Sequence, residues 1–158
     1  MIGIVEKFGP ISLAALSCLL LYYFRSELVQ LSVSEDINVS NIYSSVFDWS
    51  SIQTGFLFAI FGFVAGKTDG FIHRIKDTPE MGLFFRYTKR ALFLGFAITF
   101  ASIPMTVTSF DIAKGASWKF HVFAAWSFLS VWGFFSFLRV AYIFGDVIKV
   151  KDDTRVVG

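Results

Sequence analysis

Four stretches of the chain contain no Asp, Glu, Lys or Arg: residues 8–24, 49–66, 91–110 and 120–138. A helix rising 1.5 Å per residue needs roughly 20 apolar residues to cross a hydrocarbon core, so each stretch predicts a membrane span, the first near the lower limit of length. The first has the position of a signal peptide, but it ends in Leu19-Leu20-Leu21-Tyr22-Tyr23-Phe24-Arg25 rather than a small-residue cleavage pattern, which favours a retained span. Between the first two runs, residues 25–48 are acidic and rich in Ser and Asn, which predicts an outer loop with room for a short interfacial helix. Residues 67–90 form a basic loop. Inside it, Thr78-Pro79-Glu80 sets a capping residue before a proline at the first helical position, with an acid in the first turn. A helix should start there, extend two or three turns and enter the lipid near Ala91, with Pro104 kinking its far end and freeing the carbonyl of Phe100.

Composition supports a chain immersed in lipid. Hydrophobic residues make up 55% and charged residues 16% of the 158 positions, against roughly 25% charged in a soluble domain, and the mean hydropathy is +0.64. Four spans leave no room for a separate soluble domain. Of the 14 lysines and arginines, only Arg25, Lys114 and Lys119 fall in the two segments assigned to the outside; the rest fall at the termini and in residues 67–90. The positive-inside rule then predicts both termini and residues 67–90 in the cytoplasm. Trp49, Trp118, Tyr22 and Tyr23 mark the outer boundary and Tyr87 and Tyr142 the inner one. The expected fold class is all-α: an integral membrane four-helix bundle forming a single domain over residues 1–158, in a bacterial inner membrane.

Helices in lipid gain little from burying apolar surface against each other, so close packing relies on small residues. Gly55, Ala59, Gly62 and Gly66 share one face of the second span, predicting a helix contact there. In the third span Thr88, Gly95, Thr99, Ser102, Thr106 and Ser109 form a small, hydroxylated seam. Such hydroxyls either bond the carbonyl one turn back while permitting close packing, or line a polar path, in which case Thr99, Ser102, Thr106 and Ser109 are the pore-lining candidates. Ser127, Ser130, Gly133 and Ser136 drift around the fourth span, which suits a helix with more than one neighbour. The 21 Phe residues either fill the bundle or close a pore by dewetting.

Several chemistries lack their residues. The spans hold no carboxylate for a proton relay or ion-coupled transport. His73 and His121 fall at opposite faces, so they provide no pair of haem ligands at one depth, and Cys18 is the only cysteine. No catalytic constellation, phosphate loop or metal site appears, and the charge pattern is not that of a nucleic-acid binder; no enzyme activity, cofactor or metal is expected. Asn38-Val39-Ser40 matches a glycosylation acceptor, a triplet common by chance. His121, near Asp111 and Lys119, is either an interfacial polar residue or a pH-sensitive group. Arg139 is either a snorkelling anchor or part of an inner charge ring. Arg86, Lys89 and Arg90 predict a cytoplasmic contact with anionic lipid, or with an anionic ligand.

The layout of a short first span, a polar outer loop, a small-residue second span ending Gly66-Lys67, a basic inner loop and two closing spans resembles the small four-span membrane effectors of bacterial phage-exclusion and abortive-infection systems. In residues the resemblance rests on the region from Gly55 to Arg90. It implies depolarisation of the membrane on a trigger. A single four-helix bundle has no lumen, so an ion-permeable effector requires a homo-oligomer with the seam of the third span facing a shared axis, and its trigger would come through residues 67–90, the tail or a separate cytoplasmic sensor protein. The alternative expectation is a non-conducting accessory or structural subunit of a larger membrane complex.

Overall fold

The computed structural model describes residues 4–112 and 118–149; Lys114, Lys151 and Arg155, and the side chain of Lys7, whose charges entered the orientation argument, lie outside this description. The described chain is helical: α1 (Ile4–Tyr23), α2 (Arg25–Val33), α3 (Val39–Gly66), α4 (Gly70–Ile75), α5 (Pro79–Val107) and α6 (Trp118–Lys149). By length and composition α3, α5 and α6 suffice to cross a membrane, and α1 with α2 forms a bent pair, at 66°, that makes a fourth candidate. The bend follows the change in sequence at Phe24-Arg25, where the apolar run stops and a helix carrying Arg25, Glu27 and Gln30 begins. The chain is thus a multi-pass α-helical membrane protein.

The segment read as the outer loop, residues 25–48, is mostly helical: it holds α2 and the first ten residues of α3, leaving 34–38 as the connection. Two features override its polar composition. The Asn38 carboxamide accepts from the Asn41 N–H at 3.3 Å and caps the helix. Val39 and Tyr43 then lie four apart on the stripe that continues through Ser50, and all three are buried. Asn38, the residue of the glycosylation triplet, is this cap.

At the other end the expected start of α5 is found: Thr78 Oγ1 accepts from the Met81 N–H at 3.3 Å and donates to the Ile75 carbonyl at 2.7 Å, with Pro79 in the first turn. Lys76 Nζ donates to the Ala65 carbonyl at 2.6 Å, so a lysine of the basic loop closes the C-terminal end of α3, where carbonyls lack helical partners.

The long helices pack in the order α1–α6–α5–α3, each antiparallel to the next. Contact α5 on α3 is close, through small side chains. By contrast, α3 reaches α6 through rings: Trp49, Phe56 and Phe63, seven residues apart, meet Phe134, Phe137 and Phe144 with centroids 5.1, 5.9 and 6.0 Å apart. These distances are those of favourable aromatic pairs. α1 lies at the edge of the row, where the Tyr22 hydroxyl and His121 Nδ1 are 2.7 Å apart.

Candidate functional site

Two apolar clusters divide the interior along its length. One, at the α2 end, gathers Val39, Tyr43, Met105, Phe123 and Trp126. The other, at the basic end, gathers Leu57, Ile60, Val64, Phe84, Tyr87 and Val140. Between them, halfway along the long helices, lies a layer of polar and small residues contributed by α3, α5 and α6: Ser50, Gln53 and Thr54; Gly95, Thr99 and Ser102; Gly133 and Ser136.

Most hydroxyls of this layer are satisfied within the chain. Ser102 Oγ donates to the Ile98 carbonyl at 2.8 Å and accepts from Trp126 Nε1 at 2.9 Å, tying α5 to α6. Thr99 Oγ1 donates to the Gly95 carbonyl at 2.9 Å and lies 2.8 Å from Ser50 Oγ, tying α5 to α3. Thr54 Oγ1 donates to the Ser50 carbonyl at 2.7 Å, and Thr106 Oγ1 to the Ser102 carbonyl at 2.9 Å. Back-bonding of this kind lets a hydroxyl sit in an apolar interior while keeping its volume small.

Gln53 is the exception. Its side chain is 2% exposed, and neither its Oε1 nor its Nε2 has a hydrogen-bond partner among the described residues. A Cβ placed on Gly95 would lie 3.5 Å from Nε2 and collide with Thr54 Oγ1; one placed on Gly133 would lie 3.9 Å from Nε2 and collide with Ile98 Cδ1. The carboxamide therefore lies beside both glycines, whose missing side chains make room for Thr54 and Ile98. Ser136, one turn along α6 from Gly133, also has a buried hydroxyl without a partner among the described residues. A polar atom left unpaired in a dry interior costs on the order of 1–3 kcal/mol, so this layer is held at a cost in stability.

Ser102 is thus buried between α5 and α6 and Thr99, half-buried, meets Ser50 of α3, while Thr106, also half-buried, bonds the Ser102 carbonyl of its own helix. Ser109 leaves the seam altogether. α5 ends at Val107, and Ser109 sits beyond it with φ 45°, exposed. It lines an open cleft of about 520 Å³ at the α2 end, beside Ser32, Glu35, Asn38 and Asp111. Ser32 Oγ donates to Asp111 Oδ1 there at 3.0 Å.

The face of α3 carrying Gly55, Ala59, Gly62 and Gly66 is exposed, and a Cβ added at any of the three glycines would meet nothing within 4 Å. The contact predicted on this face is not made within the chain; α3 packs through Ser50, Gln53, Thr54, Leu57, Ile60 and Val64. Arg86, Lys89 and Arg90 are exposed at the basic end, and Arg139 lies beside them, its guanidinium 4.0 Å from the centre of the Tyr87 ring. His73 and His121 are at opposite ends, on α4 and α6.

Gln53 carries no charge, so the absence of intramembrane charge in the sequence does not reveal it. It is the only carboxamide within the four uncharged runs, a signal plainly present. Comparison of the chain with protein-family profiles, with curated proteins and with solved structures finds no match.

Proposed function

We propose that the chain is a non-conducting subunit of a larger assembly in a bacterial inner membrane, with its basic end in the cytoplasm, and that the Gly55, Ala59, Gly62 and Gly66 face of α3 receives a helix from another chain. The observation that carries this reading is the division of labour on α3. One face is consumed by α5 and α6, while the face best suited to close helix approach is left open. The seam supports the same reading, since the Thr99 hydroxyl meets Ser50 of α3, the Ser102 hydroxyl accepts from Trp126 of α6, and the Thr106 hydroxyl is spent on the Ser102 carbonyl of its own helix.

The test is assembly size in mild detergent. The parent is expected to migrate as a complex, and Gly62→Leu as a smaller species with unchanged helix content. Co-migration of parent and variant as a lone chain refutes the proposal.

A second reading, an oligomeric ion-permeable effector that depolarises the membrane as in phage exclusion, draws support from Gln53 and Ser136, whose buried polar atoms have no partners among the described residues. Conduction on this reading requires α3 to part from α5 along the Ser50–Thr99 contact. Membrane potential during induction separates the readings: depolarisation by the parent, lost in a Gln53→Leu variant of equal abundance, favours the effector.

A further inference from the structure

Along one side of α5, exposed residues follow one another at spacings of three and four: Arg86, Lys89, Phe93, Phe96 and Phe100, with Arg90 next to Lys89. This side faces away from the packed stripe that runs through Phe84, Ala91 and Ile98. We infer that it holds one anionic phospholipid, the headgroup phosphate among Arg86, Lys89 and Arg90 and an acyl chain along Phe93, Phe96 and Phe100. The inference is independent of the proposed function, which concerns α3.

Depth, charge and shape each point to lipid. At 1.5 Å per residue the three cations stand about 1.5–7.5 Å along the axis from Ala91, where the uncharged run begins. That is the depth of a headgroup layer, roughly 5–8 Å on each side of a bilayer. Phe93 to Phe100 then lie about 3–14 Å inside, within the roughly 15 Å of hydrocarbon in one leaflet. The acids described at this end leave the cations to an outside partner. Asp69 pairs with Lys67 at 3.7 Å and Asp146 with Lys149 at 3.1 Å, while Asp77 and Glu80 flank the start of α5, Glu80 about 9 Å further from the lipid than Arg86. None of the three cations forms an ion pair with a described residue. Below them the rings make a continuous shelf: Phe58 of α3 meets Phe96 edge-on at 5.7 Å, and Phe96 stacks on Phe100 at 6.4 Å. A free phosphate would use only the cations, and an acidic protein reaching in from water would meet them beside exposed phenyl rings. A phospholipid matches both halves, in order.

Because these side chains are exposed, they can be changed without touching the packed interior. Full-length protein is purified with phosphatidylglycerol and phosphatidylcholine at equal concentration, and the lipid retained per chain is read by native mass spectrometry. The parent is expected to retain one phosphatidylglycerol in preference to phosphatidylcholine. Arg86→Gln with Arg90→Gln is expected to lower that occupancy by about tenfold or more, the scale of losing two cations beside an anionic headgroup. Arg74→Gln with Lys149→Gln removes the same charge from exposed positions elsewhere at this end and should change it by less than about twofold. Both double variants should keep the parent's unfolding midpoint in phosphatidylcholine alone. Glycerol phosphate, a headgroup without chains, and polyglutamate should each leave the bound lipid in place. Equal retention of the two lipids by the parent overturns the inference, as does undiminished retention in the Arg86→Gln, Arg90→Gln variant. Equal loss in the two double variants also overturns it and assigns the binding to diffuse surface charge. Displacement by glycerol phosphate reduces the site to a simple anion site, and displacement by polyglutamate assigns it to an acidic protein; either result refutes a lipid site.

Discussion

Substituting Gly95 by alanine tests the polar layer directly. In an open helix position the change is favourable, because glycine costs about 1 kcal/mol relative to alanine. At Gly95 the new methyl falls on Thr54 Oγ1. Thr54 is branched at Cβ and its hydroxyl is committed to the Ser50 carbonyl at 2.7 Å, so yielding means breaking that bond or separating α3 from α5. Overpacking of this kind costs about 1–3 kcal/mol and a lost hydrogen bond about 1 kcal/mol, which outweighs the helix-propensity gain and leaves a net destabilisation of about 1–3 kcal/mol. Gly62→Ala, with open space around it, is the internal reference and should be neutral or stabilising by up to about 1 kcal/mol. The decisive arm is Thr54→Ala. It removes the obstructing oxygen, and the Thr54 Cβ, 3.5 Å from the added carbon, remains at ordinary contact distance. In that background Gly95→Ala should cost nothing, a coupling of about 1–3 kcal/mol between two touching residues. Unfolding in mixed micelles at graded sodium dodecyl sulfate, followed by circular dichroism, measures all four corners. Equal effects of Gly95→Ala and Gly62→Ala in both backgrounds would refute the close approach of α3 to α5.

Gln53→Met keeps the length of the side chain and removes its two unpaired polar ends, so the same unfolding assay should show a gain of about 1 kcal/mol or more. Trp126→Phe deletes the donor to Ser102 and should cost roughly 0.6–1.7 kcal/mol, the range of interhelical hydrogen bonds in membranes, with Ser102→Ala in the same protein adding little more. Thr78→Ala removes the cap on α5 and should cost about 0.5–2 kcal/mol, seen as faster amide exchange at residues 81 and 82 while exchange around Ile98 is unchanged. Orientation is read by labelling intact cells with a membrane-impermeant maleimide in a Cys18→Ser background. Ser34→Cys should react and Asp77→Cys should not, and the reverse result would invert the topology inferred from the distribution of charge.

Much of this architecture was legible because its signals are local. Thr78-Pro79-Glu80 announces a helix start whatever surrounds it, and uninterrupted apolar runs announce long helices. The seam on α5 was legible as a contact face because a packed membrane interface needs small side chains. The packed face of α3 was not. Two stripes compete on that helix, Gly55 to Gly66 and Ser50 to Val64, and lipid is as apolar as a protein interior, so hydrophobicity does not say which one is buried. The partners decide, and Gly95 and Gly133 lie far along the chain from Gln53. Residues 39–48 failed as a loop for a related reason: their polarity was conspicuous, whereas one cap at Asn38 and the spacing of Val39, Tyr43 and Ser50 determined the structure.

The packing order also sets a schedule for biogenesis. α1 is synthesised before the other long helices, yet its main neighbour, α6, is synthesised last. At roughly 5–20 residues per second the ribosome needs roughly 5–20 s to cover the distance from the end of α1 to the start of α6, and for that interval α1 lodges in the bilayer without its partner. It is equipped for the delay, since residues 8–23 carry neither a charge nor a carboxamide. α3 is not so equipped, because Gln53 is costly against lipid, but α5 is the next long helix to emerge and can cover it at once. Truncation before α6 would therefore leave α1 an orphan that surveillance proteases of the membrane can extract, while the α3–α5 hairpin survives as the nucleus of the fold.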